Sequence, residues 1–144
     1  MFYGEYEHNL DNKGRIIIPA KFRNVLAENY VEKFYITRGL DSCIFMFPEG
    51  EWKNLEAKFK NLPFTKSESR QFNRLFFSGA CEIVCDKQGR MLIPKYLKDY
   101  AQIKRDVIVI GVSNRIEIWD KDKWRDFYNL QKGSFEEIAE KLMT

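Results

Sequence analysis

Histidine is nearly absent from this chain, present only at position 8, and cysteine is scarce, at positions 43, 81 and 85. An odd number of cysteines without a secretory signal points to reduced thiols in a cytosol rather than to disulfides. If residues 81 to 85 form a strand, Cys81 and Cys85 share a face but lie about 13 Å apart at roughly 3.3 Å per residue. That is too far for one metal ion or one disulfide. Small buried side chains are the role expected of them. The chain also lacks a Gly-rich phosphate loop, a His-Glu-x-x-His helix and a Gly-x-Ser-x-Gly elbow. No catalytic residue, metal, cofactor or small-molecule substrate is therefore expected, and the chain is not expected to be an enzyme. No run approaches the roughly 20 apolar residues of a membrane span. The opening Met1-Phe2-Tyr3-Gly4-Glu5 has no basic stretch leading into an apolar one, so a soluble, unexported protein is expected.

What is present suits a globular fold. Of 144 residues, 44% are hydrophobic and 31% charged, enough apolar mass for one compact domain or one fused pair. The net charge of +3 is modest, but it is concentrated. Residues 8 to 23 hold Lys13, Arg15, Lys21 and Arg23 against Asp11 alone, and residues 83 to 98 hold Lys87, Arg90, Lys95 and Lys98 against Asp86 alone.

Those two windows belong to an internal repeat. Leu10-Asp11-Asn12-Lys13-Gly14-Arg15-Ile16-Ile17-Ile18-Pro19 returns 75 positions later as Cys85-Asp86-Lys87-Gln88-Gly89-Arg90-Met91-Leu92-Ile93-Pro94. Downstream, Tyr35 to Gly39 faces Val107 to Gly111, and Ile44 to Trp52 faces Ile116 to Trp124, at an offset of 72. Three residues are lost between the second proline and the third strand, a change that a surface connection tolerates.

Local chemistry gives each copy the order β, β, short helix, β, β. Strands over Glu5 to Leu10 and Cys81 to Cys85 meet turns ending in Gly14 and Gly89, which suit three-residue hairpin loops with glycine at positive φ. Arg15 to Ile18 and Arg90 to Ile93 form the second strands. Pro19 and Pro94 stand where helices can begin, and the helices run over about Ala20 to Ala27 and Lys95 to Ala101. A second hairpin closes each copy, Phe34 to Thr37 with Ile44 to Phe47 and Val107 to Ile110 with Arg115 to Trp119, through loops beginning at Gly39 and Gly111. The alternation Arg115-Ile116-Glu117-Ile118-Trp119 predicts an antiparallel sheet wet on one face. Between the copies, Trp52, Leu55, Phe59 and Leu62 recur at helical spacing. Thr65-Lys66-Ser67-Glu68 reads as a capping box before a helix carrying Phe72, Leu75 and Phe76, and Ser134-Phe135-Glu136-Glu137 opens another. The aromatic residues fall at core spacing and are read as packing, not as platforms for stacking bases.

A pattern of Leu-Asp-x-x-Gly-Arg-Ile-x-Ile-Pro resembles the swapped-hairpin module of the AbrB class of bacterial regulators. Two such modules fused in a chain of this length, with helices between, are similar to the MraZ family. The resemblance implies a mainly β, α+β fold, a pseudo-twofold double swapped-hairpin barrel with peripheral helices. Residues 5–52 and 81–124 would be the modules, 53–80 a helical connection and 125–144 a C-terminal helical segment. It further implies a sequence-specific, DNA-binding transcriptional regulator in the cytoplasm and nucleoid. Ring-shaped homo-oligomers would read direct repeats in a promoter of a division and cell-wall gene cluster. An antitoxin-like or purely structural ring with a protein partner is the alternative.

Arginine's planar fork matches two acceptors on a guanine edge or two phosphate oxygens, whereas lysine acts as a point charge. Arg15 and Arg90, each leaving a tight turn, are the leading DNA contacts, with Lys13, Lys87, Lys21 and Arg23 as phosphate contacts. Asp11 and Asp86 are repelled by phosphate and are assigned to shaping the loops, which Gly14 and Gly89 permit. A single Asp-x-x-x-Arg could equally be an ordinary exposed ion pair. Its duplication is what favours a function.

Overall fold

The computed structural model describes residues 1–28 and 33–144. The chain runs β1 (Phe2–Asn9), β2 (Arg15–Ile17), α1 (Ala20–Glu28), β3 (Phe34–Arg38), β4 (Ile44–Pro48), α2 (Glu49–Lys60) and α3 (Ser67–Ser78). It then repeats as β5 (Cys81–Ile83), β6 (Arg90–Leu92), α4 (Lys95–Tyr100), β7 (Asp106–Ser113), β8 (Arg115–Asp120), α5 (Lys121–Gln131) and, after a 3-10 turn, α6 (Phe135–Met143). The repeated unit is thus longer than the expected order, because a helix follows the last strand of each copy.

The strands do not stay within their own copy. An antiparallel six-stranded sheet has the order β1-β7-β8-β4-β3-β5, and β2 pairs with β6 in a separate ribbon. Exchanging each strand for its counterpart reverses the order of the sheet and leaves it unchanged, so a pseudo-twofold axis passes between β4 and β8 and between β2 and β6. The expected β1–β2 hairpin is corrected in one respect: its tight turn forms, but β1 pairs with β7 and β5 with β3, both across copies. This is the swapped arrangement, and the sheet itself stays open.

One core explains the exchange of strands. Ile36, Ile44, Met46, Val107, Val109, Ile116 and Ile118 point from the sheet into the same cluster as Ile16 and Met91 of the ribbon and Phe22 and Leu97 of α1 and α4. Pro19 and Pro94 lead into these short helices as expected, their carbonyls accepting the first helical amides.

The opposite face of the sheet is dry over its central strands, contrary to the half-wet expectation, and stays wet along the edge strand β1. Phe45, Phe47, Ile108, Ile110 and Trp119 are covered by α2, α3 and α5, so β4 and β8 are buried on both faces. Trp52 lies stacked between Tyr35 and Phe76, at centroid distances of 5.2 and 5.5 Å, and Phe59 and Phe72 pack beside them. Glu117, expected to be wet, is buried and accepts from Arg115 Nε (2.9 Å) and Trp119 Nε1 (3.0 Å).

Further boundaries differ. Gly111 lies inside β7 opposite Gly4, where the β1 backbone passes so close that a Cβ would stand 2.4 Å from Phe2 C and Tyr3 N. Helix α3 starts at Ser67 with no side-chain cap, so the Thr65 capping box does not form. The Pro63 carbonyl instead takes the Lys66 amide in a preceding turn. Leu75 is exposed rather than part of the buried stripe. Asp120 caps helix α5, its carboxylate accepting from the amides of Asp122 and Lys123, a cap that the sequence alone did not signal. The strand β5 stops at Ile83, so Cys85 lies beyond it; Cys43, Cys81 and Cys85 are free thiols and Cys43 is buried. Among the described residues, no helix is long and apolar enough to cross a membrane.

Candidate nucleic-acid interface

The two Asp-x-x-x-Arg loops are built alike. In the first, Asp11 Oδ1 accepts from the amides of Lys13 and Arg15, both at 2.9 Å, and Oδ2 accepts from Arg15 Nε at 2.7 Å. In the second, Asp86 accepts from the amides of Gln88 and Arg90 at 2.9 Å and from Arg90 Nε at 2.8 Å. The backbone closes each turn, Asp11 N to Arg15 O and Gly14 N to Asp11 O, with the same pair at Asp86, Arg90 and Gly89. Gly14 and Gly89 have φ of 78° and 76°, the left-handed region that glycine enters without cost from a Cβ. The aspartates therefore shape the loops, as their repulsion from phosphate suggested. The backbone amide of Arg15 or Arg90, then its guanidinium, holds each carboxyl below its ordinary value.

The β2–β6 ribbon joins the loops. Arg15 faces Leu92, Ile16 faces Met91 and Ile17 faces Arg90. Two bonds extend the ladder into the turns, Ile18 N to Gly89 O at 2.9 Å and Ile93 N to Gly14 O at 3.0 Å. Each loop is thereby anchored to the strand leaving the other. Alternation sends Ile16 and Met91 into the core and leaves Arg15, Ile17, Arg90 and Leu92 on one outer face. On it Arg15 and Arg90 are diagonal neighbours, about 7–8 Å apart at their Cα atoms. Each arginine side chain is 28% exposed. With Nε held by its aspartate, each has two terminal nitrogens with no partner among the described residues, available as donors. Ile17 and Leu92, 44% and 54% exposed, occupy the other diagonal. These two apolar members were not singled out from sequence, although Arg15-Ile16-Ile17 read with period two places Ile17 beside Arg15.

The remaining basic residues are not all gathered here. Lys13 and Lys87 sit exposed at the loop tips. Lys21, also exposed, lies on α1 beside Gly4 and Tyr6 of β1, in a separate groove. Arg23 is half-buried and turned onto its own fold, its Nε donating to the Ile18 carbonyl at 3.0 Å. The arrangement thus offers two guanidinium forks on a rigid antiparallel ribbon, flanked by lysines, and among the described residues no cluster of His, Cys, Asp or Glu could hold a metal.

A family model for the MraZ protein, described as antitoxin-like, matches residues 1–75 and again 76–144. The transcriptional regulator MraZ of Natranaerobius thermophilus is 53% identical over 143 residues, covering 99% of this chain and 97% of that protein. The transcriptional regulator MraZ of Acetivibrio thermocellus is 54% identical over 142 residues, covering 99% and 96% respectively. These relatives are named as regulators and not as enzymes. With both halves matched and nearly the whole chain aligned, the chain belongs to the MraZ family.

Proposed function

We propose that this chain is a sequence-specific, DNA-binding transcriptional regulator whose contact surface is the outer face of the β2–β6 ribbon. The observation carrying the reading is that two distant loops place Arg15 and Arg90 on one face. A two-stranded antiparallel ribbon fits the major groove, where an arginine fork pairs with guanine O6 and N7. Ile17 and Leu92 are available to thymine methyl groups, and Lys13, Lys87 and, farther out, Lys21 to phosphates. Arg23, whose Nε is already engaged, contributes by another route.

In this reading the two modules act as one unit, with 53–80 and 125–144 as their helical additions. One face with a few phosphate contacts binds weakly at physiological salt, and several faces on one homo-oligomer overcome that by acting together. Helix α6 leaves Phe135, Ile138 and Leu142 exposed, with Leu130 near the end of α5, an apolar surface suited to contact between copies in a ring. Direct repeats in the promoter of a division and cell-wall gene cluster, read in the cytoplasm and nucleoid, would match such an assembly. The alternative is an antitoxin-like or structural ring with a protein partner, favoured by the same apolar surface.

The test is the double variant Arg15→Ala/Arg90→Ala against a duplex that the wild-type chain selects from random DNA. Affinity is expected to fall by about 100-fold or more, each bidentate pair being worth roughly 1–3 kcal/mol, while sedimentation shows an unchanged oligomer. Unaltered affinity overturns the reading. Log affinity against log salt should slope at about −4 or steeper if four or more phosphates are contacted. A flat slope favours the protein partner.

A further inference from the structure

The two loops share their internal bonds but not their support. Loop 1 is held by its strand, because β1 pairs with β7 over eight residues as far as Asn9, and Leu10 N then donates to Arg105 O at 2.9 Å. Ahead of loop 2, β5 pairs with β3 over three residues, and among the described residues the ladder stops at Ile83. Val84 is 65% exposed.

Arg23 lies over the turn of loop 2. Its side chain lies so close over Gly89 that a Cβ there would stand 2.6 Å from Cδ and 2.8 Å from Nε and Nη1. Its Nε donates to the carbonyl of Ile18, whose amide donates to the Gly89 carbonyl. The result is a closed circuit from Gly89 through Ile18 and Arg23 back to Gly89. Burial raises the Cys85 thiol, Asp86 raises it further, and the Arg23 charge opposes both, which places Arg23 beside the entry to loop 2 as well. The groove at this point, ≈ 260 Å³, is lined by Arg23, Phe34, Cys85 and Asp86 among others. The counterpart of Arg23 in the second copy is Lys98, which has no fork to offer. Among the described residues, the atom nearest a Cβ at Gly14 is Ile93 O at 3.8 Å.

We infer that Arg23 is a positioning residue that latches loop 2 and so orders Arg90 for base contact, rather than a phosphate contact of its own. The inference rests on the DNA-binding reading of that face for its functional half only. The latch itself is testable without DNA.

Hydrogen exchange on the free protein reads the latch. Arg23→Ala is expected to speed exchange of the Gly89 and Arg90 amides about tenfold, with the Gly14 and Arg15 amides unchanged as an internal control of folding. Arg23→Lys, which keeps the charge but loses the fork, should do the same. Equal exchange in both loops, or none changed, overturns the latch. Anisotropy with a fluorescent duplex selected by the wild-type chain reads the consequence. Arg23→Ala should weaken binding about tenfold, the scale of one lost hydrogen bond to a charged group, with the salt slope unchanged. The loss should vanish in an Arg90→Ala background and persist in an Arg15→Ala background. A loss equal in both backgrounds, or a slope shallower by about one contact, makes Arg23 a phosphate ligand and overturns the inference. Faster exchange in loop 2 alongside binding indifferent to Arg15→Ala and Arg90→Ala would support the latch while sinking the DNA reading.

Discussion

The Asp11–Arg15 and Asp86–Arg90 loops close with the same five hydrogen bonds, yet one glycine is buried and the other is not. Gly89 lies under Arg23, while Gly14 is open. Local sequence sets the bonds inside each loop, so they repeat wherever Asp-x-x-Gly-Arg repeats. Support comes from neighbours brought in by the fold, and those differ because, among the described residues, β1 is paired over eight residues and β5 over three, and position 23 is arginine where position 98 is lysine. Duplicated motifs can thus keep their chemistry while dividing their mechanics.

Substituting the two glycines exposes the difference most strongly. Gly14→Ala meets only the backbone cost of a left-handed residue, about 1–2 kcal/mol. Gly89→Ala bears that cost and must displace Arg23 as well, for about 2–5 kcal/mol in all, since overpacking adds roughly 1–3. Urea denaturation of both variants checks the order, and equal midpoints would remove the asymmetry.

Neutralising the aspartates should give a smaller and opposite contrast. Asp11→Asn and Asp86→Asn each free an arginine that was held by its Nε; the strand β1 holds the backbone of the first loop, but no side chain lies across its turn as Arg23 does at the second, so Arg15 depends more on that bond. Affinity for a selected duplex should fall about tenfold for Asp11→Asn and about threefold for Asp86→Asn, the scale of loosening a supporting contact. A larger loss at Asp86 would mean that Arg23 does not back the second loop.

The smallest effect expected is with pH. Both carboxylates titrate below their ordinary 3.8. A lowered folded-state pKa contributes order that is complete above the unfolded value and is lost only as pH falls through the folded one. Between pH 9 and pH 6 the loops should therefore stay formed, and binding titrations over that range should show no carboxylate step. A midpoint near pH 6 in either loop would mean its aspartate is not held as described.

Much of this was legible in the sequence because it is local. The repeat, the glycines at the turns, the prolines before α1 and α4 and the aspartates as loop shapers all rest on contacts within a few residues. Pairing was not legible in the same way: a hairpin turn fixes chain reversal, but only the shared core decides that β1 joins β7. The dry outer face was missed because Glu117 in an alternating strand signals solvent, whereas here Arg115 and Trp119 satisfy it under cover. Arg23 read as one more surface cation because what it covers, Gly89, belongs to the other copy, and its bond to the Ile18 carbonyl forms only once that stretch is paired with the Gly89 turn. Ile17 and Leu92 were overlooked because apolar residues near charged ones suggest a core.

Guanine N7 methylation interference on a selected duplex tests the central claim most directly, that both loops read one stretch of major groove. The diagonal of about 7–8 Å between Arg15 and Arg90 spans roughly two to three base pairs at about 3.4 Å each. Arg15→Ala should remove interference at one guanine, and Arg90→Ala at another two or three base pairs away in the same box. Interference unchanged by either variant, or lost for the two variants in different boxes rather than within the same one, would contradict a single shared face.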